Sequence, residues 1–257
     1  MSYKNILLKK GVVAELIMNR PEARNSLNGS HMRDIVAGLC ELDVDPTVRV
    51  IVMKGAGHGF SAGADISQLV GKKVYEAREH LKGVADIIET IAKTGKPVIA
   101  QVHGFALAGG LGVAVSCDIT YVAEDAALGT PEINIGLWPH TIMAPIFRAI
   151  GRKKGIEMMF TGDRIDAKEA ERCGLITRAV PNDQLEAAVS KLATKLAEKS
   201  PSALKIGKEA YYTMTDMEYF KSLHYLREMI TLHSMTEDGQ EGPRSFMEKR
   251  APRWSGM

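Results

Sequence analysis

Glu132 is the residue whose place in the chain most clearly suggests chemistry, because two glycine-rich stretches precede it. The stretches are Phe60–Ile66, read Phe-Ser-Ala-Gly-Ala-Asp-Ile, and Gly104–Gly110, read Gly-Phe-Ala-Leu-Ala-Gly-Gly. Small side chains leave main-chain N–H groups unobstructed, and such groups can hold the oxyanion that forms at a reacting carbonyl. A carboxylate beside that carbonyl can move protons. The combination predicts enolate chemistry.

Alternating strands and helices must position these residues in the first half of the chain. Apolar patterning predicts this order of elements: strands Ile6–Lys9 and Val12–Met18, helix 28–45, strand Val48–Met53, helix 73–93, strand Val98–Val102, a short helix Leu111–Ser116 and strand Ile119–Ala123. Such alternation is typical of α/β architecture with a substantially parallel sheet. Beyond Pro139 the pattern predicts mainly helices, near 141–149, 152–160, 167–172, 183–199, 201–214, 216–235 and 238–248, with a short strand at Ile176–Val180.

Composition excludes several classes of function. The chain has 257 residues, 45% hydrophobic and 25% charged, with a net charge of +2. That balance gives no electrostatic reason to expect nucleic acid or a membrane as a partner. Three scattered cysteines indicate neither a zinc site nor a disulfide framework. The absence of a signal peptide or a long apolar run predicts a cytoplasmic protein.

A series of short motifs in register gives the sequence its most specific signal. They are Ser61–Ile66, Lys96–Ala100 leading into Gly104, Ala108–Gly110, Cys117–Ile119, Pro131-Glu132, Thr161–Asp163, Glu241-Gly242 and Glu248–Arg250. Together they closely resemble the crotonase superfamily of enoyl-CoA hydratase/isomerase proteins. The resemblance implies an α/β fold in which a spiral of ββα units over residues 1–195 is followed by a helical trimerisation region over residues 196–257.

The resemblance also implies a ligand, an acyl-CoA thioester, and no metal or redox cofactor, because coenzyme A enters as part of the substrate. The main-chain N–H groups of Ala64 and Gly109 would form the oxyanion hole, and Glu132 would transfer protons. Gly109 would stand at the start of a helix, where free N–H groups and the helix dipole favour negative charge. The implied assembly is a homotrimer or a dimer of trimers.

Further residues are expected to contact coenzyme A or the acyl group. The resemblance implies that the main chain of Ala62, Ala64, Asp65 and Ile66 borders the adenine site, and that Lys249 reaches coenzyme A from the C-terminal helix. Asp65 is also expected to cap the segment after it through its side chain. Arg24 is either solvated or a contact to a phosphate of coenzyme A.

Trp138 and His140, which flank a proline just beyond Glu132, could line the acyl pocket. A single histidine in a loop is more often a polar loop residue than a base. His140 is nevertheless the best unmatched candidate for a second acid–base group.

One position departs from the family pattern. Hydratases of the superfamily usually carry two acidic residues, and the first aligns with Gly112 here. Moving a double bond from the 3- to the 2-position requires one base that takes a proton from Cα and returns it at Cγ. The residues therefore favour isomerisation of 3-enoyl-CoA. Hydration of 2-enoyl-CoA and acyl-CoA binding without catalysis remain alternatives.

Overall fold

A six-stranded sheet forms the centre of the fold in the computed structural model, which describes residues 3–257. Its strands are β1 (Ile6–Lys9), β2 (Val13–Met18), β3 (Val50–Gly55), β4 (Val98–Val102), β6 (Ile119–Ala123) and β9 (Arg178–Val180). They lie in the order β1-β2-β3-β4-β6-β9. The β1–β2 pair is antiparallel, and every later neighbour is parallel. The strands are rich in Val and Ile, as expected for a sheet covered on its faces.

A second, smaller sheet carries the glycine-rich part of the chain. It consists of β5 (Phe105–Leu107), β7 (Ala127–Gly129) and β8 (Arg164–Ile165). The β5–β7 pair is parallel, and β8 runs antiparallel to β7. An isolated parallel bridge joins Ser61 to Ala106 of β5. Three remote segments of the chain thus run side by side.

Ten helices pack around or beyond these sheets within the described residues. Their bounds are α1 Gly29–Val44, α2 Val74–Lys93, α3 Gly109–Ser116, α4 His140–Ala149, α5 Arg152–Thr161, α6 Ala167–Arg172, α7 Leu185–Ala197, α8 Pro201–Met214, α9 Tyr219–Ser234 and α10 Glu237–Met247. Short 3₁₀ turns occur at Pro21–Ala23, Ile66–Gln68, Pro131–Ile135 and Asn182–Gln184. α7 packs against β3, β4 and β6, whereas α8, α9 and α10 pack on one another. The last three helices therefore pack together at the C-terminal end of the chain, and α8 also joins them to α2.

The structure confirms the predicted α/β class with a mainly parallel sheet and a helical C-terminal part. The predicted elements of the main sheet fall within a few residues of their observed bounds, whereas β5, β7 and β8 were not predicted. The short helix begins at Gly109, two residues earlier than its apolar pattern indicated. The predicted boundary after residue 195 lies near the end of α7. Within residues 3–257, no helix is long and apolar enough to cross a membrane.

Candidate active site

Three paired residues that form a row across the small sheet position all three residues that the sequence singled out for catalysis. Ser61 bridges to Ala106, and Ala106 pairs in turn with Leu128. Ala64 and Gly109 each come three residues after their member of this row, and Glu132 comes four residues after Leu128. Because the three segments are parallel, the residues leave the same edge of the sheet.

The main chains of Ala64 and Gly109 are in close proximity. A Cβ atom placed on Gly109 would lie 3.6 Å from the amide nitrogen of Ala64, and one placed on Gly63 would lie 3.0 Å from the amide nitrogen of Gly109. Among residues 3–257, no hydrogen bond is formed by either amide as donor. Two unpaired N–H donors side by side are what an oxyanion requires.

Unusual backbone angles create this arrangement. Gly63 has φ of 91°, and Ala108 has φ of 50° immediately before α3. A Cβ atom on Gly63 would lie 2.6 Å from Ala108 Cβ, so only glycine fits there. Ala108 is a non-glycine residue in the left-handed region, a conformation that stores strain of about 1–3 kcal/mol and is often found at functional sites. The bend lets α3 begin at Gly109 with the N–H of that residue free among the described groups.

Glu132 lies in the 3₁₀ turn Pro131–Ile135, directly after the small sheet. The hydroxyl of the buried Thr130 donates to the carbonyl of Met158 at 3.1 Å, which fixes the start of the turn. The Oε2 atom of Glu132 is buried and has no hydrogen-bond partner within the described chain. Burial raises the pKa of Glu132 to about 7. A carboxyl group with a pKa near neutrality can act as base and as acid at physiological pH.

Ile142 fills the space beside Gly112, where the hydratases of the superfamily carry their first acidic residue. A Cβ atom on Gly112 would collide with Ile142 Cγ2 and lie 2.6 Å from Ile142 Cβ. Ile142 belongs to α4 and is only 2% exposed, and Gly112 is buried in α3. The close approach of the two helices therefore depends on glycine at this position. No side chain can replace it unless α4 moves or Ile142 changes.

The residues predicted to contact coenzyme A fall into small groups. The N–H of Ala62 donates to the carbonyl of Arg24 at 3.0 Å, and the exposed Arg24 guanidinium lies 4.8 Å from the centre of the Phe105 ring. Ile66 is 52% exposed. The Asp65 carboxylate accepts from the Ser67 hydroxyl at 2.6 Å and bonds no main-chain N–H of the turn after it, so the predicted side-chain cap is wrong. The Ser67 hydroxyl takes the place of a main-chain N–H as the donor to this carboxylate.

Trp138, His140 and Lys249 are placed with mostly local contacts. The Trp138 indole N–H lies 3.1 Å from Met143 Sδ, and Nδ1 of the exposed His140 lies 3.0 Å from the Trp138 carbonyl oxygen. Lys249 follows α10 with φ of 55°, and its N–H donates to the carbonyl of Phe246. Within the described residues, no hydrogen bond or ion pair links Lys249 to the other predicted contacts.

Two residues at the site were not predicted from the sequence. Ile142 had no signal beyond an apolar helical pattern. His80 is buried on α2, one turn before Val84, and Val84 Cγ2 lies 3.4 Å from where a Cβ atom on Gly109 would be. A polar residue within an apolar stripe was the available signal for His80. Among the described residues, no group of three or more His, Cys, Asp and Glu side chains is arranged to hold a metal ion.

Substituting Gly109 by alanine tests the paired amides. The added methyl group would lie 3.4 Å from Val84 and 3.6 Å from the Ala64 nitrogen, so the fold should tolerate it while it narrows the approach to both donors. We expect kcat/KM to fall about 100-fold, because the methyl group hinders a carbonyl oxygen from reaching both donors and an oxyanion donor typically contributes about 10²–10³ in rate. Gly207→Ala, whose methyl group meets nothing within 4 Å, is the control. Full activity in G109A would contradict the assignment of the Ala64 and Gly109 amides to an oxyanion hole.

Comparisons with known proteins agree with this geometry. The family model described as enoyl-CoA hydratase/isomerase matches residues 9–257. The chain is 36% identical to "Probable enoyl-CoA hydratase echA8" of Mycobacterium bovis, over 99% of both chains.

Two solved structures extend the likeness to three dimensions. A crystal structure of an enoyl-CoA hydratase of Mycobacterium smegmatis is 28% identical with a TM-score of 0.93, covering 98% of this chain and 99% of that one. Human enoyl coenzyme A hydratase domain-containing protein 3 is 27% identical with a TM-score of 0.94, covering 98% of this chain and 100% of that one. The likeness therefore spans the C-terminal helices as well as the sheets.

Proposed function

Because the chain belongs to the enoyl-CoA hydratase/isomerase family, we propose that it converts 3-enoyl-CoA to 2-enoyl-CoA thioesters with Glu132 as its only catalytic carboxylate. The observation that carries this proposal is the packing of Ile142 against Gly112, which fills the place of a second carboxylate with hydrocarbon. Isomerisation requires one group that moves a proton between two carbons. Hydration additionally requires a group that activates water.

The proposed reaction moves one proton along the acyl chain. The thioester oxygen accepts hydrogen bonds from the N–H groups of Ala64 and Gly109. The Glu132 carboxylate takes a proton from Cα, and the electrons of the broken C–H bond delocalise through the carbonyl and the 3,4-double bond as a dienolate. The carboxylic acid of Glu132 then protonates Cγ, which leaves the double bond between Cα and Cβ. The amides stabilise the negative charge on oxygen between the two steps.

Contacts to coenzyme A form the second part of the proposal. Arg24 would bind its nucleotide part together with the main chain of Ala62, Asp65 and Ile66, and Lys249 would approach from the C-terminal helices. The contact between the Arg24 carbonyl and the Ala62 N–H supports the first group. Coenzyme A is then part of the substrate, with no separate cofactor. The exposed site of Arg24, in contact with the main chain of Ala62, supports a role in phosphate binding.

The proposed assembly is a homotrimer or a dimer of trimers in the cytoplasm. The proposal is supported by the C-terminal helices, which expose many large apolar side chains. Contact with another subunit would bury these side chains. The exposed fractions are Tyr219 67%, Phe220 67%, Ile230 62%, Leu232 65%, Met235 74%, Phe246 85% and Met247 76%.

Hydration of 2-enoyl-CoA is the second candidate, favoured by the names of the relatives in the comparisons. Purified protein supplied with 3-enoyl-CoA and, separately, with 2-enoyl-CoA distinguishes the two reactions when the products are followed chromatographically. Isomerisation predicts 2-enoyl product from the first substrate and little 3-hydroxyacyl product from the second. Rapid hydration with little isomerisation would refute the proposal. Tight binding of both substrates without turnover would indicate a non-catalytic acyl-CoA binder.

The pKa of Glu132 predicts how isomerisation depends on pH. The carboxyl must be ionised to remove the Cα proton, and burial raises its pKa in the free protein to about 7. We expect kcat/KM to fall about tenfold for each pH unit below 7 and to level off above it. Initial rates between pH 5.5 and 8.5 measure this. A profile that is flat down to pH 5.5 would show that burial does not raise the pKa of the catalytic carboxyl.

A further inference from the structure

His80 stands out among the buried polar groups because neither of its ring nitrogens meets hydrogen-bond geometry with a described group. Its side chain is 7% exposed, and neither Nδ1 nor Nε2 has a hydrogen-bond partner within residues 3–257. The main chain of Asp65 lies beside the ring without meeting hydrogen-bond geometry. A buried polar group without a partner destabilises a protein, because it has given up its hydrogen bonds to water without replacement. A ligand group that met the ring would relieve that loss.

The position of His80 on α2 directs it toward the reacting centre. The buried residues of α2 are His80, Val84, Ile87 and Ile91, so His80 is the polar member of an apolar stripe. Val84 packs at Gly109, and the helical rise places His80 roughly 6 Å further along the axis. His80 is also near Asp65, the residue after Ala64. It therefore lies next to the proposed oxyanion hole, about one helical turn along α2 from the contact of Val84 with Gly109.

A cleft leads outward from His80 between α1 and α2. Its volume is about 820 Å³, and its lining includes Met32, His80 and Gly83. The two helices touch at Gly83, where a Cβ atom would lie 2.6 Å from Met32 Sδ. The outer lining is charged in both signs, with Arg33, Lys72, Glu76, Glu79, Lys82 and Asp86. Of the polar residues that line the cleft, His80 is the buried one, and an acyl chain that enters the cleft would meet its imidazole.

We propose that His80 binds a hydroxyl group on the distal part of the acyl chain, so that the preferred substrates are hydroxylated acyl-CoA thioesters. A neutral imidazole offers one donor and one acceptor, and a hydroxyl group offers both in return. Burial lowers the pKa of His80, which favours the neutral ring and disfavours a carboxylate as its partner. This inference rests on the proposed acyl-CoA ligand.

Calorimetric titration with saturated chains tests the inference without relying on turnover. The probes are octanoyl-CoA, its 5-, 6- and 7-hydroxy derivatives, and the chain of the same length that ends in a carboxylate. We expect the wild type to bind at least one hydroxylated chain about 10- to 100-fold more tightly than octanoyl-CoA, since a buried hydrogen-bonding group rejects a chain that leaves it unpaired. In His80→Leu this ratio should fall to near one, whereas His80→Asn should keep part of it.

Controls separate this inference from the proposed function. The exposed His224, replaced by Leu, should keep the wild-type ratio, and thermal unfolding shows whether each variant is folded. Equal ratios in the wild type and in folded H80L would overturn the inference alone, as would tightest binding of the carboxylate chain. Failure of every chain to bind the wild type would overturn both. A hydroxyl preference that depends on His80, in a protein without isomerase activity, would refute only the proposed reaction.

Discussion

Glu132→Gln is expected to lower kcat for the isomerisation of 3-enoyl-CoA by about 10³ or more. Glutamine is nearly the same size as glutamate but cannot accept the Cα proton, and a positioned acid–base group typically contributes about 10²–10⁴ in rate. Substrate affinity should change little, because the amides of Ala64 and Gly109 and the contacts to coenzyme A remain. Steady-state kinetics and calorimetric binding of a saturated acyl-CoA measure the two effects separately.

The same substitution should stabilise the protein above neutral pH. The folded-state pKa of Glu132 is about 7, against an ordinary value of 4.5. The native state therefore binds the proton more tightly than the unfolded chain, so the associated stability is complete below pH 4.5 and is lost as the pH rises to 7. At pH 8 the unfolding free energy of E132Q should exceed that of the wild type by about 3 kcal/mol, and at pH 5 the difference should be below about 1 kcal/mol.

An exposed carboxylate provides the control for both effects. Glu186, in the first turn of α7, lies at the surface, and Glu186→Gln should change neither kcat nor the pH dependence of stability. Denaturant unfolding at pH 5 and pH 8 makes the comparison. If E132Q lost activity but showed the same stability difference at both pH values, the pKa of Glu132 would not be raised as the proposed mechanism requires.

The main sheet was predictable from the sequence because its strands are runs of apolar residues that end in turns. Val98–Val102 and Ile119–Ala123 have the observed bounds for that reason. The small sheet was not predictable, because β5, β7 and β8 have only two or three residues each. What stabilises them is pairing between segments remote in sequence, which no local pattern records.

The candidate site was likewise predictable only in part. Ala64 and Gly109 were predicted because the glycine-rich motifs contain them, and Glu132 because the Pro131-Glu132 motif follows those stretches; the structure places the two amides together. Their catalytic roles stay predictions. The burial of His80 depends on packing between helices and could not be read from the chain. His140, by contrast, is exposed, and its Nδ1 atom lies near the carbonyl oxygen of Trp138 in the loop before it.

Substitutions at Gly112 and Ile142 are expected to have the second large effect, because the packing of these two residues decides whether a second carboxylate can be present. Gly112→Glu should destabilise the protein by about 3 kcal/mol or more, since its Cβ collides with Ile142 and its carboxyl becomes buried. Ile142→Ala alone should also destabilise, by about 2–5 kcal/mol, because it leaves a cavity. In the double variant the new side chain occupies that cavity. The summed losses should therefore exceed the loss in the double variant by about 1–3 kcal/mol.

The double variant should also gain hydratase activity. With Ile142 shortened, the carboxyl at position 112 can face the acyl group opposite Glu132 and activate water, a contribution of about 10² or more in rate. We expect the ratio of 2-enoyl-CoA hydration to 3-enoyl-CoA isomerisation to rise at least 100-fold over the wild type. Gly112→Gln with Ile142→Ala has the same shape without the carboxylate and should show no such rise. Strictly additive stability losses, or equal ratios in the Glu and Gln variants, would mean that Ile142 does not occupy the place of a missing acid. The packing of Ile142 against Gly112 would then no longer support the single-carboxylate mechanism.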